Sequence, residues 1–208
     1  MVADDVDKFQ SDYNYIDDWT RDASEQLKIT IDTQVLGTIY ADAHASNVGT
    51  TAGAISSGYN LGSSGTPFTL DKTNVLDYIV NLGSVLDEQN VPESDRWLVL
   101  PVWACGFIKQ SDLKDASLAG DQTSIMRNGR LGMIDRFMIY RSNLLTVNSG
   151  SITNIIAGHK SGLTFASQML NSETLRAEST FGTLVRGLQV YGYKVIKPEA
   201  IAHGVVTK

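Results

Sequence analysis

The chain has 208 residues, 42% hydrophobic and 19% charged, with a net charge of −6, the balance of a folded protein with a real core in one large domain or two small ones. No run of about eighteen apolar residues occurs, and Asp4, Asp5 and Asp7 open the sequence, so neither a membrane span nor a signal peptide is expected and the product is read as cytosolic when made. Residues 1–25 hold eight acids against Lys8 and Arg21 while the remainder is balanced, which suits the positive end of a helix dipole and, with no basic stripe elsewhere, speaks against nucleic-acid binding.

Large apolar residues at Val6, Phe9, Tyr13, Ile16, Ala23, Leu27, Ile31, Val35 and Ile39, with Thr20 filling one gap, recur every three or four residues. This period predicts one long helix from Val6 to Ala43, roughly 57 Å at about 1.5 Å per residue. A second line, Tyr15, Trp19, Gln26, Ile29, Leu36, Tyr40 and Ala43, widens its apolar face. Either one domain buries the helix on both flanks, or the second line meets another chain. The spacing settles to fours after Ala23, which argues against a coiled coil.

Ser46 to Thr66 is small, polar and glycine-rich, so a loop or loosely paired hairpin is expected. No lysine follows the glycines and their spacing fits no phosphate-binding signature. Asp71 or Thr73 is placed to cap a second helix carrying Val75, Leu76, Ile79, Val80, Leu82, Val85 and Leu86, which stops before Pro92. Arg96 to Leu100 reads as a buried strand, and Pro101 opens a short helix through Gln110. Cys105, the single cysteine, excludes an internal disulfide and reads as a buried thiol among Val102, Trp103, Phe107 and Ile108. Ser111 to Arg127 reads as an exposed loop and Asn128-Gly129 as a turn, leading into a segment whose tail to Tyr140 is a strand. Strands at Ile152–Ala157 and Thr183–Val195, a helix-like segment at Leu163–Leu170 and a terminal apolar stretch from Ala200 to Val206 complete an α+β pattern with no repeating strand-helix unit.

Catalytic signatures are missing from this pattern. His44, His159 and His203 lie apart, without a second ligand at metal spacing. His159, near Ser161, is the one histidine in a setting like an active site, but a plain turn between a strand and a helix is the preferred explanation. No catalytic, metal or cofactor-binding residue, and no cofactor, is expected.

Taken in order, a long acidic-fronted helix, a glycine-rich crossover, Asp95-Arg96-Trp97-Leu98-Val99-Leu100-Pro101, the run Asn128-Gly129-Arg130-Leu131-Gly132-Met133-Ile134-Asp135-Arg136-Phe137-Met138-Ile139-Tyr140, and Tyr193-Lys194-Val195-Ile196-Lys197-Pro198-Glu199-Ala200-Ile201 resemble the tailed-phage major capsid proteins of the HK97 fold. The resemblance covers essentially the whole chain. It implies a spine helix, a peripheral domain and an axial domain of mixed sheet flanked by helices. The expected division is 1–55 peripheral (spine helix and crossover), 56–196 axial, and 197–208 a terminal strand of the peripheral domain.

The family places an N-terminal arm and an extended hairpin, the E-loop, ahead of the spine helix. Met1 stands only a few residues before it here, so the expectation is a C-terminal part of a larger or truncated capsid protein. Nothing carries over the covalent cross-linking of some members. The implied function is a non-enzymatic shell subunit in the virion, made in the bacterial cytoplasm. Its implied partners are other copies in pentamers and hexamers, with scaffolding, portal and decoration proteins; packaged DNA is met only through the shell interior, and no membrane is involved. The expected inter-subunit residues are Tyr15, Trp19, Ile29, Leu36 and Tyr40, with Asp17 and Asp18 on the helix and Asp115 and Asp121 in the axial loop. The alternatives are an encapsulin-like compartment around cargo enzymes and a small hydrolase using His159 with Ser161.

Overall fold

The computed structural model describes residues 2–4, 15–111, 131–176 and 182–208. The chain divides into two compact units, Met1–Asp32 with Phe165–Lys194, and Thr33–Thr164 with Val195–Lys208. These boundaries differ from the expected 1–55, 56–196 and 197–208: the late hairpin groups with the helix, and the C-terminal strand with the main sheet.

The first unit holds most of α1 (Tyr15–Leu36) and a three-stranded sheet in the order β1-β9-β8 (β1 Val2–Asp4, β8 Leu163–Arg176, β9 Gly182–Val195). β1 runs antiparallel to the start of β9, Val2 opposite Leu184. The helix-like reading of Leu163–Leu170 is corrected here to a strand. Apolar residues at Leu163, Ala166 and Leu170 mimic a helical step, but pairing with the next strand, β9, decides the conformation. The helix is also shorter at its C-terminal end than its periodicity suggests. It stops at Leu36, and the apolar steps continue through a 3-10 turn at Ile39–Asp42. The expected helical stretch Val6–Tyr13 and the Asn128-Gly129 turn lie outside the described residues, as does the loop beyond Ser111.

The second unit is built on a seven-stranded mixed sheet. Six strands run in the order β2-β10-β7-β3-β5-β4, and β6 pairs with β7. They are β2 Phe68–Thr69, β3 Arg96–Leu100, β4 Met133–Ile134, β5 Phe137–Arg141, β6 Val147–Ser149, β7 Ile152–His159 and β10 Ile201–Thr207. The middle of this sheet is largely buried, so β3 and most of β7 and β10 read as apolar runs.

Helix α2 (Val75–Glu88) covers one face, with Val75, Tyr78, Ile79, Leu82, Gly83, Val85 and Leu86 buried. Both of its ends are specified locally. Asp71 Oδ1 accepts from the Asn74 N–H at 2.9 Å while Asn74 Oδ1 accepts from the Asp71 N–H at 2.8 Å, a reciprocal cap. At the other end Asn90 takes φ 56°, and the Val91 N–H returns to the Leu86 carbonyl at 3.1 Å, a Schellman closure. Tyr78 lies across Gly204, where an added Cβ would collide with the phenol oxygen, and donates to the Leu61 carbonyl at 2.9 Å. Helix α3 (Val102–Gln110) follows Pro101 and buries Ala104, Cys105 and Ile108.

On the opposite face Trp97 lies over Gly158, where a Cβ would come within 2.9 Å of the indole, and the Ile39–Asp42 turn sits against β7 and β10. The glycine-rich crossover continues the sheet beyond β10. Val48 bridges His203 in parallel, and the Val205 N–H donates to the Leu61 carbonyl at 2.9 Å. Buried Asn47 ties this segment down, donating to the Glu199 and Ile201 carbonyls at 2.7 and 2.9 Å and accepting from Gln89 at 3.0 Å.

Candidate inter-subunit surfaces

Of the residues expected to meet a neighbour, Trp19 and Ile29 stand exposed on α1, as does Asp18. Tyr15 and Asp17 lie on the same helix, their side chains outside the described set, and Asp115 and Asp121 lie outside the described residues altogether. Leu36 and Tyr40 are half-buried, and the Tyr40 ring packs on His203 with centroids 4.9 Å apart. The second apolar line therefore has two environments: its N-terminal members are at the surface, and Tyr40 helps cover the main sheet of the second unit. Glu25 and Lys28 form an exposed intrahelical pair at 2.6 Å, the ordinary role for charges three apart.

Two exposed apolar surfaces escape the sequence reading. In the first unit the hairpin carries Phe165, Leu175, Leu188 and Val190 outward. Leu188 and Val190 share a face of β9, and their alternation with Gln189 and Tyr191 is the signal that marks it. In the second unit, Met133 of β4 stands directly opposite Met138 of β5, and Tyr140 is two residues further on the same face. All three are about half exposed or more.

The hairpin bearing this second patch turns through Asp135 and Arg136, both left-handed at φ 45° and 65°. Arginine is a poor choice for such a turn, so distant contacts must hold it. Arg136 pairs with Asp87 and Glu93, each at 2.9 Å. Asp87 also binds the fully buried guanidinium of Arg96 at 2.6 Å, and Arg96 donates further to the Pro92 and Val91 carbonyls at 2.8 and 2.6 Å. Burial alone would raise the Asp87 pKa, but the hydrogen bonds from Arg96 and Arg136 outweigh it and hold the carboxyl below the usual range.

His203 is the one histidine drawn into the interior. Its Nε2 lies 3.0 Å from Asn154 Oδ1, and Asn154 donates in turn to Asn148 Oδ1 and the Thr146 carbonyl at 3.0 and 3.1 Å. Burial lowers its pKa to about 4, so the ring is neutral at physiological pH. His159 Nδ1 lies 2.8 Å from Ser161 Oγ and accepts from the Ser161 N–H at 3.1 Å, capping a 3-10 turn at Lys160–Gly162. That turn joins two strands, not the strand and helix expected. Among the described residues no group of His, Cys, Asp and Glu could hold a metal ion, and no helix is long and apolar enough to cross a membrane.

Solved structures share this architecture. A chain from Mycobacterium phage Che8 is similar with a TM-score of 0.77 and 23% identity, over 98% of this chain and 67% of that one. The capsid of cyanophage P-SCSP1u follows at 0.71 and 16%, over 98% and 69%. The SrpI encapsulin of Synechococcus elongatus is more distant, at 0.50 and 9%, over 95% and 67%. These likenesses establish the HK97-like fold, and this chain spans about two thirds of the length of each. Among curated proteins none matches significantly. A family model of phage capsid proteins matches residues 2–204, and the chain therefore belongs to the phage capsid protein family.

Proposed function

We propose that this capsid shell subunit self-associates into pentamers and hexamers of an icosahedral phage or prophage shell around packaged DNA. The observation that carries the reading is the distribution of apolar surface. Side chains of the size of Trp19, Ile29, Leu188, Val190, Met133 and Tyr140 stand exposed on both units, as suits a protein that completes its burial against neighbours. The seven-stranded unit takes the axial place and the unit of helix and hairpin the peripheral place. Scaffolding, portal and decoration proteins are further partners, and synthesis is in the bacterial cytoplasm.

The chain acts without catalysis. The Nδ1 lone pair of His159 already serves the turn that contains Ser161, which speaks against a hydrolase. An encapsulin shares the fold, while the family match favours the phage reading. The acidic front of α1 suits contact with a neighbour through charge, and added salt then weakens assembly.

Size-exclusion chromatography with light scattering, followed by negative-stain imaging of the large fraction, tests the reading. The expected products on concentration are rings, sheets or shells. A chain that stays monomeric at every concentration contradicts it.

A further inference from the structure

Glu88, at the end of α2, reaches over to the crossover, where its Oε2 accepts the backbone N–H groups of Ile55 and Ser56 at 2.7 and 3.1 Å. The Ala52–Tyr59 bridge closes the same loop with paired hydrogen bonds of 2.8 and 2.9 Å. Gly53 bends at φ 113°, where a Cβ would lie 2.9 Å from the Glu88 carboxylate. The outcome of this ordering is an isoleucine turned into solvent: Ile55 is 82% exposed, more than any other large hydrophobic residue described. A fixed backbone presenting one β-branched apolar side chain is a knob whose ordering entropy is already spent.

The crossover lies beyond β10, at one edge of the main sheet, and the Met133, Met138 and Tyr140 patch lies on β4 and β5, at the other. Four strand spacings of about 4.8 Å, roughly 19 Å in all, separate the crossover from β5, and β4 lies one spacing further, so a knob cannot reach the patch of its own chain. Two different apolar features on opposite edges of one sheet are what a head-to-tail contact between identical subunits requires, and such contacts close into rings where the rotation between neighbours permits. Methionines suit the receiving side, because their unbranched side chains adapt around an inserted group. Trp97, half-buried and in register with Met138, extends the patch inward.

We infer that Ile55 of one copy seats against Met133, Met138 and Tyr140 of the next, as a repeated contact around the shell's symmetry axes. The inference rests on the shell-subunit reading and names its contact.

The test uses the full chain carrying both Ile55→Cys and Met138→Cys, treated with a bismaleimide too short to span the sheet; Cys105 is buried and stays silent. The expected result is a covalent ladder of multimers from assembled material, with neither single variant going beyond a dimer. Particles that form normally but give no ladder overturn the contact and leave the shell reading intact, whereas a wild-type chain that never assembles overturns both. Ile55→Asp supplies an independent arm. Its circular dichroism and melting temperature should match the wild type, while the concentration needed for assembly rises by about tenfold or more. Unchanged assembly of that variant also refutes the contact.

Discussion

The two units divide the work of burial unequally. Among the described residues, Ile31 is the one buried apolar side chain of the first unit, while the second buries an extended core from Ile39 to Val206. Charge follows the same division. The first unit carries eleven acids against six bases and the second twelve against eleven. A core of that extent is the main source of the second unit's stability. A helix and hairpin with Leu27, Ile29, Leu188 and Val190 at the surface leave apolar area uncovered, which, on the function proposed above, neighbouring copies cover in a shell.

The most severe way to break the contrast is to damage the second unit's core. Leu98→Ala, at a fully buried position in the middle of the sheet, should cost about 3 kcal/mol, measured by chemical denaturation. Acid should act next. His203 has a folded pKa of about 4, below the 6.5 of an unperturbed histidine, so the unfolded chain takes up a proton that the folded chain refuses. The stability this histidine secures is complete above pH 6.5 and declines as pH falls toward 4, by up to about 3 kcal/mol. His203→Gln should flatten that part of a stability-against-pH curve.

Removing the shared carboxylate is a smaller insult. Asp87→Ala strands the buried Arg96 and releases Arg136 from its left-handed turn. About 2 kcal/mol is expected, below the cost of a wholly buried pair because the Asp87 side chain is 40% exposed. Thermal melts of the variant measure it. The smallest effect on folding should come from the other unit. Leu188→Ser should change the stability of the unassembled chain by less than about 0.5 kcal/mol while weakening assembly, a combination that a core position cannot produce.

What the sequence showed plainly was local. The ends of α2 are marked by Asp71 and Pro92, and Pro101 marks the step from β3 into α3, so these elements were legible from single residues, while the answering roles of Asn74 and Asn90 emerged from the structure. The order of such elements was enough to support the family resemblance. Features set by distant partners were hidden. Residues 163–170 carry a helical step and form a strand because β9 pairs with them. The turn at Asp135 and Arg136 has no sequence signal of its own, since Asp87, 49 residues away from Arg136, holds it. The helix face also misled in part: Tyr40 continues its periodicity across Gly37, but the 3-10 turn that follows brings it onto His203. Ile55 was one apolar residue in a polar, glycine-rich stretch, and only the hydrogen bonds that its N–H and that of Ser56 donate to Glu88 distinguish it.

Hydrogen exchange, compared between the unassembled chain and assembled particles, is the most direct measurement of the division between the units. Amides of the hairpin strands at 165–176 and 182–194 should exchange readily in the free chain and become protected on assembly, while those of β3, β7 and β10 stay protected in both. Equal protection of the hairpin in the two forms would contradict the claim that neighbouring copies complete the burial of the first unit.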